Sequence, residues 1–157
     1  MTSKARQLAQ SASAPEGRKN QIINGGFEVS QRGTSFTADN IYTLDRWKSS
    51  DGSGGSPART TTQETFSLGQ TDVPKATYFL KHNQTAASTS GNAALNQRVE
   101  DVTRFDNVTV TLSFYAKADA ALTIDVQLIQ NFGSGGSPSS NVTVSQTGIS
   151  VGTSFQK

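Results

Sequence analysis

Cysteine is absent from this chain of 157 residues. That excludes disulfides, thiolate metal sites and cysteine nucleophiles. Histidine occurs once, at His82, which excludes a histidine-rich metal site or a paired-histidine relay within one chain. No run approaches the roughly 20 consecutive apolar residues of a membrane-spanning helix, so no membrane insertion is expected. Only 33% of the residues are apolar. Charge is sparse as well, at 17% of residues with a net of +2. The positive excess sits at the front, where Lys4, Arg6, Arg18 and Lys19 face only Glu16. The remainder is close to neutral and lacks the clustered cations that a nucleic-acid face needs. Met1 to Gln7 lead into no apolar h-region, so no secretory signal is expected.

What the chain has in abundance is serine and threonine, about a quarter of its residues, well above average usage. It also has strict alternation. Val108, Val110, Leu112, Phe114 and Ala116 fall two apart, with Thr109, Thr111, Ser113, Tyr115 and Lys117 between them. That is the pattern of a half-buried β-strand. Similar segments predict strands near 21–31, 42–49, 58–67, 76–84, 93–101, 108–118, 122–131 and 142–147. Turn chemistry separates several of them, as in Ser90-Gly91-Asn92 and Asp119-Ala120-Ala121. The hexapeptide Gly-Ser-Gly-Gly-Ser-Pro stands in two of these links, at 52–57 and 133–138; no longer repeat surrounds the copies. Many short strands without helices between them predict an all-β fold, an antiparallel sandwich of jelly-roll type, over residues 21–157. Val151 to Lys157 reads as the beginning of a further strand, so the closing strands are expected to be missing. Composition typical of a surface-displayed protein, without an export signal, fits a protein assembled inside a cell and released by lysis.

Residues 1–20 form a separate leader. Ala5, Leu8, Ala9 and Ala12 recur at helical spacing, and Thr2 or Ser3 suits a cap. An isolated helix this short is marginal in water. The leader is therefore expected to be a helical or extended anchor that orders on a partner, with Lys4 and Arg6 favouring an acidic surface.

Inner-face residues follow from the alternation: Leu112 and Phe114, Leu122, Ile124, Val126 and Leu128, and Trp47 near the front. Tyr115 and Lys117 share the opposite, polar face of their strand with Ser113 and are the candidate ligand-binding residues. No catalytic constellation emerges. Glu100 and Asp101 are adjacent and would face opposite ways along a strand. His82 has no Gly-x-Ser-x-Gly elbow to serve. Asp39, Asp45, Asp101 and Asp106 match no fixed-spacing calcium loop. Neither an enzyme nor a cofactor or metal is expected.

Two segments near the front carry a resemblance. Ile22-Ile23-Asn24-Gly25-Gly26-Phe27-Glu28-Val29-Ser30-Gln31-Arg32-Gly33 is followed by Tyr42-Thr43-Leu44-Asp45-Arg46-Trp47. Asn24-Gly25 is a strong turn pair, Phe27 and Trp47 are large anchors, and Asp45 and Arg46 suggest an ion pair or a backbone clamp. This order resembles the opening of jelly-roll domains in bacteriophage tail fibres and other virion proteins, which are related in shape to carbohydrate-binding modules of glycoside hydrolases. Asn96-Gln97-Arg98-Val99-Glu100-Asp101-Val102, Val110 to Lys117 and Gln130 to Pro138 are similar in the same order, as is the leader Ser3 to Ala9. The resemblance implies a virion structural protein, a tail fibre or fibre-like appendage, exposed on the particle. Lys4, Arg6, Leu8 and Ala12 would then be the virion anchor. The implied partners are other tail or capsid proteins, further copies of the chain (a trimer favoured) and a host-surface glycan. The alternative is a carbohydrate-binding module of a secreted glycoside hydrolase.

Overall fold

The computed structural model describes residues 20–51, 59–84, 93–100, 102–105 and 108–157. The chain is essentially all-β. Among the described residues, seven strands run in the order β1 (Ser35–Phe36), β2 (Trp47–Asp51), β3 (Arg59–Thr65), β4 (Tyr78–Gln84), β5 (Ala93–Gln97), β6 (Leu122–Gln130) and β7 (Val142–Val151). One 3-10 turn, Val102–Phe105, interrupts them, and there is no α-helix among the described residues. Hydrogen bonding joins the strands as β1-β3-β4, β2-β5 and β6-β7. The registers of β1 on β3, β2 on β5 and β6 on β7 are antiparallel.

The chain divides into two compact units. The first takes the described parts of Met1–Glu64 and Leu80–Arg98. Its interior is small and largely polar. Leu44 and Thr43 are fully buried, and Ser49, Thr61 and Arg59 nearly so. The segment predicted as a single strand at 42–49 is instead a tight hairpin. Tyr42 bridges Lys48, and the Ser49 N–H donates to the Ile41 carbonyl. The turn closes with the Trp47 N–H on the Leu44 carbonyl at 2.8 Å, and Arg46 takes φ +72°. A left-handed residue at that place normally calls for glycine or asparagine, so nothing in the local composition announces the turn. The expected strand at 21–31 is likewise absent. A turn at Asn24 to Phe27 replaces it, with Asn24 and Phe27 both at positive φ.

The second unit takes Thr65–Phe79 and Val99–Lys157. Its centre is aromatic. Phe66 lies 4.7 Å from Phe79 and 5.3 Å from Phe155, centroid to centroid, in tilted geometry, within the range where aromatic pairs attract. The β6–β7 hairpin carries a bulge. Ile124 pairs with Ile149 but Val126 with Gln146, so Thr147 and Gly148 together oppose Asp125. Gly148 has φ +68° and donates its N–H to Asp125 Oδ1 at 2.8 Å, an arrangement in which one extra residue bends the strand. The bulge reverses the parity of β7. Val142 and Val144 before it, and Ile149 and Val151 after it, all join the face of Leu122, Ile124, Val126 and Leu128. An unbulged strand would put the two pairs on opposite faces. This parity change is why 142–147 and 151 onward read as separate strands in sequence, whereas Val151 is the last residue of β7.

The inner-face expectation is corrected for residues 108–114 and for Leu122 and Leu128, which are exposed. Leu112 is 54% exposed and Phe114 38%, and no residue of 108–115 joins a strand ladder. Only Ala116 pairs, in an isolated bridge to Gln156. Alternation selected a face here, but no layer of described residues covers it. Ile124, Val126 and Trp47 are half-buried, and Val151 is buried at 5% exposure.

Candidate functional site

The front segments converge on one clamp within the first unit. Asn24 is its centre. The side-chain amide donates to the Val29 carbonyl at 2.8 Å and to the Asp45 carbonyl at 3.0 Å, and its oxygen accepts the Val29 N–H at 3.0 Å. The Asn24 carbonyl accepts the Trp47 indole N–H at 3.0 Å. Asp45 Oδ2 accepts the Gln31 N–H at 2.7 Å. Gln97, opposite Trp47 in the β2–β5 ladder, grips Ile23 from both sides: its amide donates to the Ile23 carbonyl and accepts the Ile23 N–H, each at 2.7 Å. The Phe27 ring lies 5.4 Å from Trp47. Residues apart in sequence thus satisfy one another's backbone where the segment has no strand ladder to do so. Of the two roles open to Asp45 from sequence, the backbone clamp is the one seen.

An open cleft of about 450 Å³ lies over this clamp, lined among others by Ile22, Ile23, Gly25, Glu28, Asp45 and Arg46. The lining includes no aromatic ring, so the cleft offers no stacking platform for a sugar. Several of its polar groups already hold the clamp together.

A second polar group lies buried in the same unit and has no counterpart among the sequence-based expectations. Arg59 forms an ion pair with Asp39. Thr61 Oγ1 sits 2.9 Å from His82 Nδ1. Burial, and then the Arg59 charge, hold the His82 pKa below its ordinary value of 6.5, because both disfavour the imidazolium. A hydroxyl beside an imidazole is the start of a nucleophile, but Thr61 is 1% exposed and no substrate reaches it. Arg59 and Thr61 share a face of β3 by their spacing. Polar residues at inward positions leave no hydrophobic pattern to find, so this group was silent in the sequence.

In the second unit, Tyr115 is 38% exposed, and its hydroxyl makes no hydrogen bond to a described residue. Lys117 is exposed, with Nζ 5.0 Å from the Phe155 ring centroid, a cation–π contact. The ring and ammonium therefore follow each other on one extended stretch, both reachable from solvent. Lys4, Arg6, Leu8 and Ala12 lie outside the described residues. Among the described residues, no group of three or more His, Asp or Glu is placed to hold a metal ion, and no helix is long and apolar enough to cross a membrane. No protein-family model, curated protein or solved structure matches the chain.

Proposed function

We propose that this chain is a bacteriophage virion structural protein, a tail fibre or fibre-like appendage. It docks to tail or capsid proteins through residues 1–20 and supports adhesion to a host-surface glycan through Tyr115 and Lys117. Its strands build a jelly-roll-like sandwich, and it works as a homo-oligomer exposed on the particle. The observation that carries the reading is the clamp. The segments around Asn24, Asp45-Arg46-Trp47 and Gln97, which carry the resemblance to virion jelly rolls, lock together through their own side chains. Their contact supports reading them as one fold signature. Exposed Tyr115 also keeps the alternative open, a carbohydrate-binding module of a secreted enzyme.

Purified particles of the phage that encodes the chain decide between these. Immunogold labelling should place the protein on the tail, and a chain lacking residues 1–20 should fold but be missing from particles. Full incorporation of the shortened chain would overturn the anchor. Absence of the intact chain from particles, together with glycan binding in solution that Tyr115→Ala abolishes, would favour the alternative.

A further inference from the structure

The stretch 108–115 has the make-up of a sheet edge left open. It runs without a turn, a bend or a positive φ, and none of its backbone groups makes a hydrogen bond to a described residue. Every residue in it is exposed. Nor does it carry any of the devices by which natural edges avoid pairing: it has no charge, no proline and no glycine, and no bulge lies within it. Four of its residues are β-branched and two are aromatic, the types that favour strands.

The bridge at Ala116 fixes the direction of its two edges. Ala116 both donates to and accepts from Gln156, at 2.9 and 3.0 Å. In an antiparallel strand, backbone groups point to alternate sides along the chain. Even-numbered residues therefore face the side of Gln156, and Thr109, Thr111, Ser113 and Tyr115 present their N–H and C=O groups on the opposite edge.

We propose that this opposite edge pairs with the same edge of a second copy, antiparallel, about a two-fold axis at Thr111. The sequence is complementary to itself in that register on both faces. Val108 opposes Phe114 and Val110 opposes Leu112, so the exposed apolar side chains cover one another. On the other face Thr109 opposes Ser113, and Thr111 opposes its own copy. Aromatic with β-branched, and threonine with threonine or serine, are favourable cross-strand pairs. No charge meets a like charge anywhere in the ladder. A neighbouring register of the same parity, centred on Val110 or Leu112, would leave Phe114 or Val108 without a partner from this run. The contact does not depend on the virion reading, and it gives a dimer where the resemblance implies a trimer. The contact is small beside a standard interface, so the dimer dissociates on dilution.

The lack of cysteine makes the register directly testable in the full chain. Residues opposite each other across an antiparallel pair have Cα atoms about 5.5 Å apart or less, inside the range a disulfide spans. Under mild oxidation a T111C chain should crosslink to itself. T109C and S113C chains should each stay uncrosslinked alone and crosslink when mixed. Sedimentation should show a concentration-dependent dimer. Thr111→Pro, which removes a ladder donor, and Thr111→Lys, which sets like charges opposite, should each raise its midpoint concentration about ten-fold or more. Circular dichroism should be unchanged in both. A monomer at all concentrations, a trimer, or equal self-crosslinking of T109C and T111C chains would each overturn the pairing. Hydrogen exchange showing the amides of 109, 111 and 113 protected in a monomer would overturn it too, because a strand of the same chain would then hold that edge.

Discussion

Replacing Asn24 by alanine tests whether the clamp holds the first unit. Asn24 makes three side-chain hydrogen bonds, two to Val29 and one to the Asp45 carbonyl. Each is worth about 0.5–1.5 kcal/mol net. The two to Val29 are exposed and belong at the low end, since water replaces them, so the three together contribute about 2 kcal/mol. Asn24 also has φ +53°, where asparagine is tolerated and alanine costs about 1 kcal/mol more. Asn24→Ala should therefore lower stability by about 3 kcal/mol, and Asn24→Gly, which keeps the backbone freedom, by about 2. Trp47 is the one tryptophan in the chain, and its indole donates to the Asn24 carbonyl, so its fluorescence reports this region. Urea titrations followed at Trp47 should show the midpoint falling at constant slope, which marks a change in stability alone. A loss below about 0.5 kcal/mol for Asn24→Ala, the level of an ordinary surface substitution, would refute the clamp. Equal losses for alanine and glycine would refute the conformational part.

Leu44→Ala, at a fully buried site, should cost about 2–5 kcal/mol, while Phe114→Ala, 38% exposed, should cost about 1–2 kcal/mol in the monomer; chemical denaturation of the two variants ranks them. The fold holds His82 neutral by burial and by Arg59, so the unfolded chain binds its proton more tightly and stability rises with pH in this window. The His82 contribution should be complete above about pH 6.5 and fall away as the pH drops below it, a slope that thermal melts of His82→Asn should lack. Asp39→Asn removes a charge from the ion pair that Arg59, at 4% exposure, keeps out of water; breaking such a pair costs about 3 kcal/mol, seen as an early melt. Arg46→Gly should be neutral or stabilising by up to about 1 kcal/mol, since glycine relieves the left-handed turn, whereas Arg46→Val should destabilise; a large loss for glycine would mean that the guanidinium, 3.5 Å from the Arg98 carbonyl, matters more than the turn.

The β-character was legible because alternation survives in a single sequence: β3, β4, β5 and β6 fall close to the segments predicted. The errors share a cause. At Asn24 and Arg46, residues at positive φ turn the chain inside stretches that look extended, and only Asn24-Gly25 carries a turn signature. At Gly148 the bulge flips parity, which in one dimension is indistinguishable from a strand break. At 108–115 the pattern is ideal but no ladder forms, because pairing depends on a partner strand that the pattern does not name. The clamp was half-legible. Asp45 beside Trp47 invited the reading, but that Asn24 and Gln97 close it depends on contacts 21 and 74 residues apart in sequence.

The two units are stabilised by different means, and this predicts how each tolerates change. The second rests on contacts among Phe66, Phe79 and Phe155, which are non-directional, so volume-conserving apolar swaps there are tolerated. The first buries Thr43, Ser49, Thr61 and Arg59, and burying polar atoms is favourable only when each keeps its hydrogen bonds. An isosteric change is therefore harmful in the first unit where it breaks such a bond, as at Thr61, but not at Ser49, whose buried hydroxyl makes none to a described residue. Thr61→Val keeps the shape of the side chain but removes the hydroxyl from His82 Nδ1, and should cost about 1–3 kcal/mol. Phe79→Leu, which removes atoms but no polar partner, should leave Trp47 fluorescence and its urea midpoint in place. If Thr61→Val were silent in that assay, the buried hydroxyl would contribute shape alone, and the first unit would be held by packing like the second.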